Sequence, residues 1–149
     1  MSHHKWKEIV VLCCGDRHWT NWTKIAKEFD RLKRHRYKVV LVIEGEAVGA
    51  DRLCRSVAEM RGIQVCGFFA NWEFHQYAAG PIRNKKQLEF AINIRNGSDT
   101  TPGGAGYNVG PQHYELMVLA FHSNIEKSKG TANMVKLARK AGIKVRIIE

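Results

Sequence analysis

The chain has 149 residues, 44% of them hydrophobic, which suits one globular domain with a sizeable core. No apolar run is long enough to span a bilayer, so a membrane partner is not expected. The net charge of +10, from 24 Lys and Arg against 14 Asp and Glu, favours anionic partners over cationic ones.

The N-terminal apolar run, Glu8–Cys14, lacks a small-residue cleavage site and soon meets Asp16 and Arg17. It reads as a first strand rather than a signal peptide, which implies a cytoplasmic protein. His3 and His4 have no further ligand at metal-site spacing, so no metal is expected. A helix follows over Asn21–His35, with Thr20 or Asn21 as its cap and Trp22, Ile25, Ala26, Phe29 and Leu32 on one stripe. The basic run Arg31–Lys38 is read as a solvated helix end. Lys38–Glu44 is a second buried strand, Gly49–Gly62 a helix ended by glycine, and Ile63–Phe69 a third strand. Gly80–Ile94 reads as a helix with Pro81 in its first turn. A glycine-rich insert occupies about 97–113. Glu115–Phe121 is a fourth strand, Gly130–Gly142 a helix, and Ile143–Ile148 a fifth strand.

Strand alternating with helix predicts a single α/β domain over 1–149, a Rossmann-like doubly wound parallel sheet of about five strands with helices on both faces. With strand order 3-2-1-4-5, ligands belong in the crevice between the first and fourth strands, beyond their carboxyl ends. The four cysteines, Cys13, Cys14, Cys54 and Cys66, contain no CxxC pair and read as free thiols. Cys14, beside the first loop, is also a candidate nucleophile.

Only loops that leave a strand and enter a helix lie on the ligand side. In the first, Cys14–Asn21, Gly15 permits a tight turn, Arg17 and His18 could meet a phosphate, and Trp19 either stacks on a base or fills core. The second, Glu44–Arg52, carries Gly45 and Gly49 for close backbone approach, with Glu44, Glu46 and Asp51 as carboxylates. Asp51 is a natural helix cap, a ribose ligand or a general base. The third, Phe68–Asn84, reads as a long aromatic loop, with Trp72, Phe74 and Tyr77 ahead of Gly80, Arg83 and Asn84. The fourth, Phe121–Met134, brings Ser128, Gly130 and Thr131 to a helix start, where N–H groups and the dipole suit an anion.

The segments GEAVGADRL, ANW, AAGPIRN and LAF…KGTANMVKLARKAGIKV, in that order between about Val10 and Val145, resemble the YspA-like branch of the SLOG superfamily. That superfamily also holds the Lonely Guy phosphoribohydrolases and the DprA DNA-processing proteins. The resemblance implies a Rossmann-like fold, a nucleotide or nucleotide-derived ligand, no separate cofactor, and self-association into dimers or larger assemblies. Arg83 is similar to the arginine of the Lonely Guy "RK" helix start, and Gly130-Thr131 to its "GT". The glutamate of that motif falls on Met134, so its catalysis does not carry over intact.

Three functions follow. The first is hydrolysis of a nucleotide's N-glycosidic bond, with Asp51 and Glu44 as carboxylates and Arg83, aided by Arg52, on the phosphate. The second is capture of a nucleotide-derived signal without turnover. The third is DprA-like binding of single-stranded nucleic acid.

TPGGAGYNVGP, Thr101–Pro111, nearly spells the Lonely Guy "PGGxG" signature. It nevertheless follows a helix and precedes a strand, so it is expected at the edge opposite the crevice.

Overall fold

A computed structural model describes residues 5–97 and 114–149. His3, His4 and nearly all of the glycine-rich insert lie outside the described residues.

Continuous apolar runs become the interior strands, because a strand covered on both faces has no polar side. β1 (Lys7–Gly15) pairs in parallel with β2 (Tyr37–Glu44) on one side and β4 (Glu115–Phe121) on the other. β3 (Val65–Gly67) lies outside β2 and β5 (Lys144–Ile148) outside β4, giving one all-parallel sheet of order 3-2-1-4-5, as the sequence predicts. β3 is shorter than Ile63–Phe69, yet its flanks stay in the ladder. Val42 N–H donates to the Gln64 carbonyl and Phe68 N–H to that of Glu44.

Alternate residues of β1 feed two cores. Ile9, Val11 and Cys13 pack with α1 (Trp22–Arg34) and α2 (Ala50–Met60). Val10, Leu12 and Cys14 face α4 (Ala79–Arg95) and α5 (Gly130–Lys140). Asn21 Oδ1 accepts from Lys24 N–H at 3.0 Å and fixes the start of α1. Ile25, Phe29 and Leu32 are buried, each worth about 1.5–3 kcal/mol of transfer free energy. Trp22 departs from the predicted stripe. It is the first residue of α1, ahead of the turn that meets the sheet, and stays 38% exposed.

The third loop is not a loop throughout. Asn71 caps a short helix, α3 (Trp72–His75), and a 3₁₀ turn at Gln76–Ala78 leads into α4. Cys13, Cys14, Cys54 and Cys66, all among the described residues, form no disulfide. No helix among the described residues is long and apolar enough to cross a membrane.

Candidate functional site

β1 and β4 end side by side, Gly15 in register with Phe121. Their chains leave on opposite faces, β1 toward α1 and β4 toward α5. The loops diverge there and leave a crevice of about 770 Å³.

Its floor is backbone. A Cβ at Gly15 would overlap the Phe121 carbonyl and Ala50 Cβ. Gly49, at φ +83°, lies directly against the Arg17 carbonyl, so the first and second loops touch. Asp16 fastens the same junction. Its carbonyl accepts from Ala50 N–H, and its carboxylate turns inward on His18 N–H at 2.9 Å. Arg17 and His18 are left exposed on the crevice rim. Trp19 resolves to core. It is 9% exposed, its ring lies 5.8 Å from Phe121, and its Nε1 donates to the Asn21 carbonyl.

The two candidate carboxylates part company. Glu44 is fully buried, but Arg55 holds its Oε1 and the Glu46 N–H holds its Oε2. Burial still raises its pKa against those bonds. Glu44 therefore shapes the second loop from below and does not line the crevice. Asp51 does line it, at 6% exposure. Gly49, not Asp51, is the cap of α2; Asp51 Oδ2 instead accepts from Ala47 N–H at 3.2 Å. Burial drives its pKa up to about 7, against the opposing pull of the Arg83 guanidinium. Arg52 points to solvent away from the crevice lining.

Cys14 lies at the end of β1 beside this carboxyl. Burial, then the Asp51 charge, push its thiol well above the ordinary range. A neutral thiol is a poor nucleophile, so the candidacy of Cys14 for covalent chemistry falls.

The opposite wall is one stripe of α4. Gly80, Arg83, Asn84 and Gln87, spaced three and four apart, all line the crevice. Arg83 Nη1 donates to the Gly45 carbonyl at 2.6 Å and its Nε to Asn84 Oδ1 at 3.0 Å. Asn84, 4% exposed, also donates through Nδ2 to the Gly130 carbonyl and Asn133 Oδ1, tying α4 to the first turn of α5. Trp72, 54% exposed, stands at the mouth near Gly80.

α5 opens onto the third side. Its cap residue, Lys129, makes no side-chain capping bond, while Ser128 Oγ accepts from Thr131 N–H at 3.0 Å. Ser128 is thus a capping group as well as a lining one. Thr131 is buried and Gly130 exposed. Gln87 escaped the sequence reading, although the three-and-four spacing from Arg83 and Asn84 could have pointed to it.

The described residues hold no group of three His, Cys, Asp or Glu side chains placed to bind a metal ion. The crevice can therefore offer, from its own residues, a protonatable carboxyl, a guanidinium and a helix N-terminus around one space.

Residues 9–75 match the YspA, cpYpsA-related SLOG family. The match takes in β1 through α3, including the Gly45–Asp51 loop, and ends before Arg83. No curated protein matches the chain.

Proposed function

Because this chain is a YspA-like member of the SLOG family over residues 9–75, a membership that supports nucleotide-related binding, we propose that the crevice binds a nucleoside monophosphate or related phosphoribosyl compound and hydrolyses its N-glycosidic bond. One observation carries this reading: a buried carboxyl, Asp51, with a pKa of about 7, next to the Arg83 guanidinium. A general base works best when its pKa is close to the operating pH. In the proposed reaction Asp51 takes a proton from water as the water oxygen bonds to C1′. The C1′–N bond breaks, its electron pair leaves with the base, and the carboxylate steadies the oxocarbenium-like charge on the sugar. Arg83 and the α5 N-terminus hold the phosphate and fix the geometry. Glu44 acts through the loop it supports and not on the substrate.

Incubation with a panel of ribo- and deoxyribonucleoside monophosphates, followed by chromatography, tests the proposal. Free base is expected from at least one of them. Binding without base release from any would defeat the hydrolase reading and leave its alternative, capture of a nucleotide without turnover. Met134 favours that alternative: it stands where Lonely Guy enzymes carry glutamate, and it is fully buried in the α4/α5 core.

Self-association is part of the same proposal. Phe69, Trp72, Phe74 and Tyr77 are each more than half exposed, the first two of them lining the crevice, and a second copy would cover them. Light scattering is expected to give a particle larger than the 17.0 kDa chain, and a monomer at high concentration would refute it.

A further inference from the structure

Gln87 is the anomaly of the crevice. It is 1% exposed, and among the described residues its Nε2 is the buried side-chain polar atom that has no hydrogen-bond partner. Leaving such a donor unpaired destabilises the folded chain, because it gives up water without gaining a partner. Native proteins tolerate few, and those that persist call for a reason. Asn84, three residues earlier on the same face, has its Oδ1 and Nδ2 fully engaged.

Position supplies the reason. Side chains on a helix lean toward its N-terminus, and α4 begins at the crevice. Gln87 therefore lines the same space as Arg83 and Thr131. The bonds from Asn84 to Gly130 and Asn133 lay this face of α4 along the first turn of α5. Ser128 Oγ satisfies Thr131 N–H of that turn, and the turn lines the crevice, so the helix's positive end faces it too. A neutral donor, a guanidinium and a helix N-terminus thus converge, and a tetrahedral anion with several acceptor oxygens can meet all three.

Resting on the reading that the crevice takes a phosphorylated nucleotide ligand, we propose that Gln87 Nε2 donates to an oxygen of the ligand's phosphate and selects for phosphate-bearing ligands between α4 and α5. The amide adds an acceptor requirement without adding charge. Arg83 alone would attract any anion; with Gln87 beneath it, the site rewards a group that offers oxygens in two directions.

The test compares wild type, Gln87→Met and Gln87→Glu by calorimetry. The probes are inorganic phosphate, a panel of nucleoside 5′-monophosphates and the matching nucleosides, with the melting temperature of each free protein measured in parallel. Gln87→Met keeps the volume and removes the donor. It is expected to weaken phosphate and monophosphate binding about tenfold or more, which is the loss of one hydrogen bond to a charged group. Nucleoside binding should change little, and the free protein should melt at the wild-type temperature or about 2–4 °C higher, since an unpaired buried donor is gone. Gln87→Glu should bind monophosphates more weakly still, because a carboxylate would face the phosphate.

Monophosphate binding by Gln87→Met equal to wild type would overturn the proposal. So would equal losses for nucleoside and monophosphate, a lowered melting temperature with affinity unchanged, or a wild type that binds none of the phosphate-bearing probes. Failure of base release with these binding results intact would sink the hydrolysis and leave the role of Gln87 standing.

Discussion

Asp51 and Arg83 stand on either side of Gly45: a Cβ built on that glycine would lie 2.9 Å from Asp51 Oδ2 and 2.5 Å from Arg83 Nη1. The carboxyl and the guanidinium are therefore held at their spacing by the lack of a side chain between them. Gly45→Ala is expected to push Arg83 off the Gly45 carbonyl and lower nucleoside monophosphate affinity about tenfold or more, the scale of a lost charge-assisted bond. Calorimetry checks this, and unchanged affinity would show that the spacing is not set there.

Asp51 also makes stability depend on pH. Its carboxyl titrates near 7 when folded, against an ordinary value of 3.8. Between those values the folded chain holds a proton that the unfolded chain has released, so this group's contribution falls as pH rises from about 4 to about 7 and is level above. The loss is of the order of 4 kcal/mol. Urea denaturation should find Asp51→Asn flatter than wild type between pH 5 and pH 8. Base release by the wild type, where it occurs, should rise through pH 7 and be absent in Asp51→Asn.

Arg83 and Lys129 both carry positive charge at the crevice, yet they are not equivalent. Arg83 is fixed by Gly45 and Asn84, whereas Lys129 is exposed. Arg83→Ala is expected to cost more monophosphate affinity than Lys129→Ala, because a preoriented fork binds phosphate with two bonds and a mobile ammonium acts as a point charge. Equal losses by calorimetry would count against this site.

The alkylation of Cys14 offers a check on the electrostatics. With its thiol pushed well above the ordinary range, Cys14 should resist iodoacetamide at neutral pH in the folded protein. Peptide mass spectrometry after brief labelling should find it unmodified; rapid labelling would contradict the raised thiol beside Asp51.

The glycine-rich segment is tested through its attachment points. α4 begins at the crevice and runs to Arg95, whose carbonyl accepts from Tyr114 N–H just before β4 starts. Both junctions therefore lie at the edge away from the crevice. Deleting Asp99 to Gly110 is expected to spare monophosphate binding, whereas shortening the His122–Thr131 approach to α5 should abolish it. Calorimetry on the two deletions distinguishes them.

Much of the fold was legible because apolar runs report burial directly. Glu8–Cys14 and Glu115–Phe121 have few residues that could face water, so they mark the centre of the sheet. Topology then assigned the ligand-side loops, while the better text match at Thr101–Pro111 lies outside the described residues. The pairing of charges was not legible. Glu44 reads as a crevice carboxylate until Arg55, eleven residues on, is seen to hold it. Nor was all of the inner face of α4, since Gln87 is a polar residue that a hydrophobic pattern assigns to solvent and the structure buries. Periodicity sees transfer free energy; it is blind to a polar group buried for a partner.

The glycine floor and the side-chain wall of the crevice differ in how they can change over descent. At Gly15 three chain segments meet with no room for a β-carbon, so nearly every substitution there perturbs the junction of β1 with β4. On α4, by contrast, Gly80 lines the crevice with only an ordinary side-chain contact, to Trp72, so a substitution there meets no backbone. A lineage carrying this fold has little freedom to revise where its ligand sits. It has considerable freedom, one helix face at a time, to revise which ligand that is.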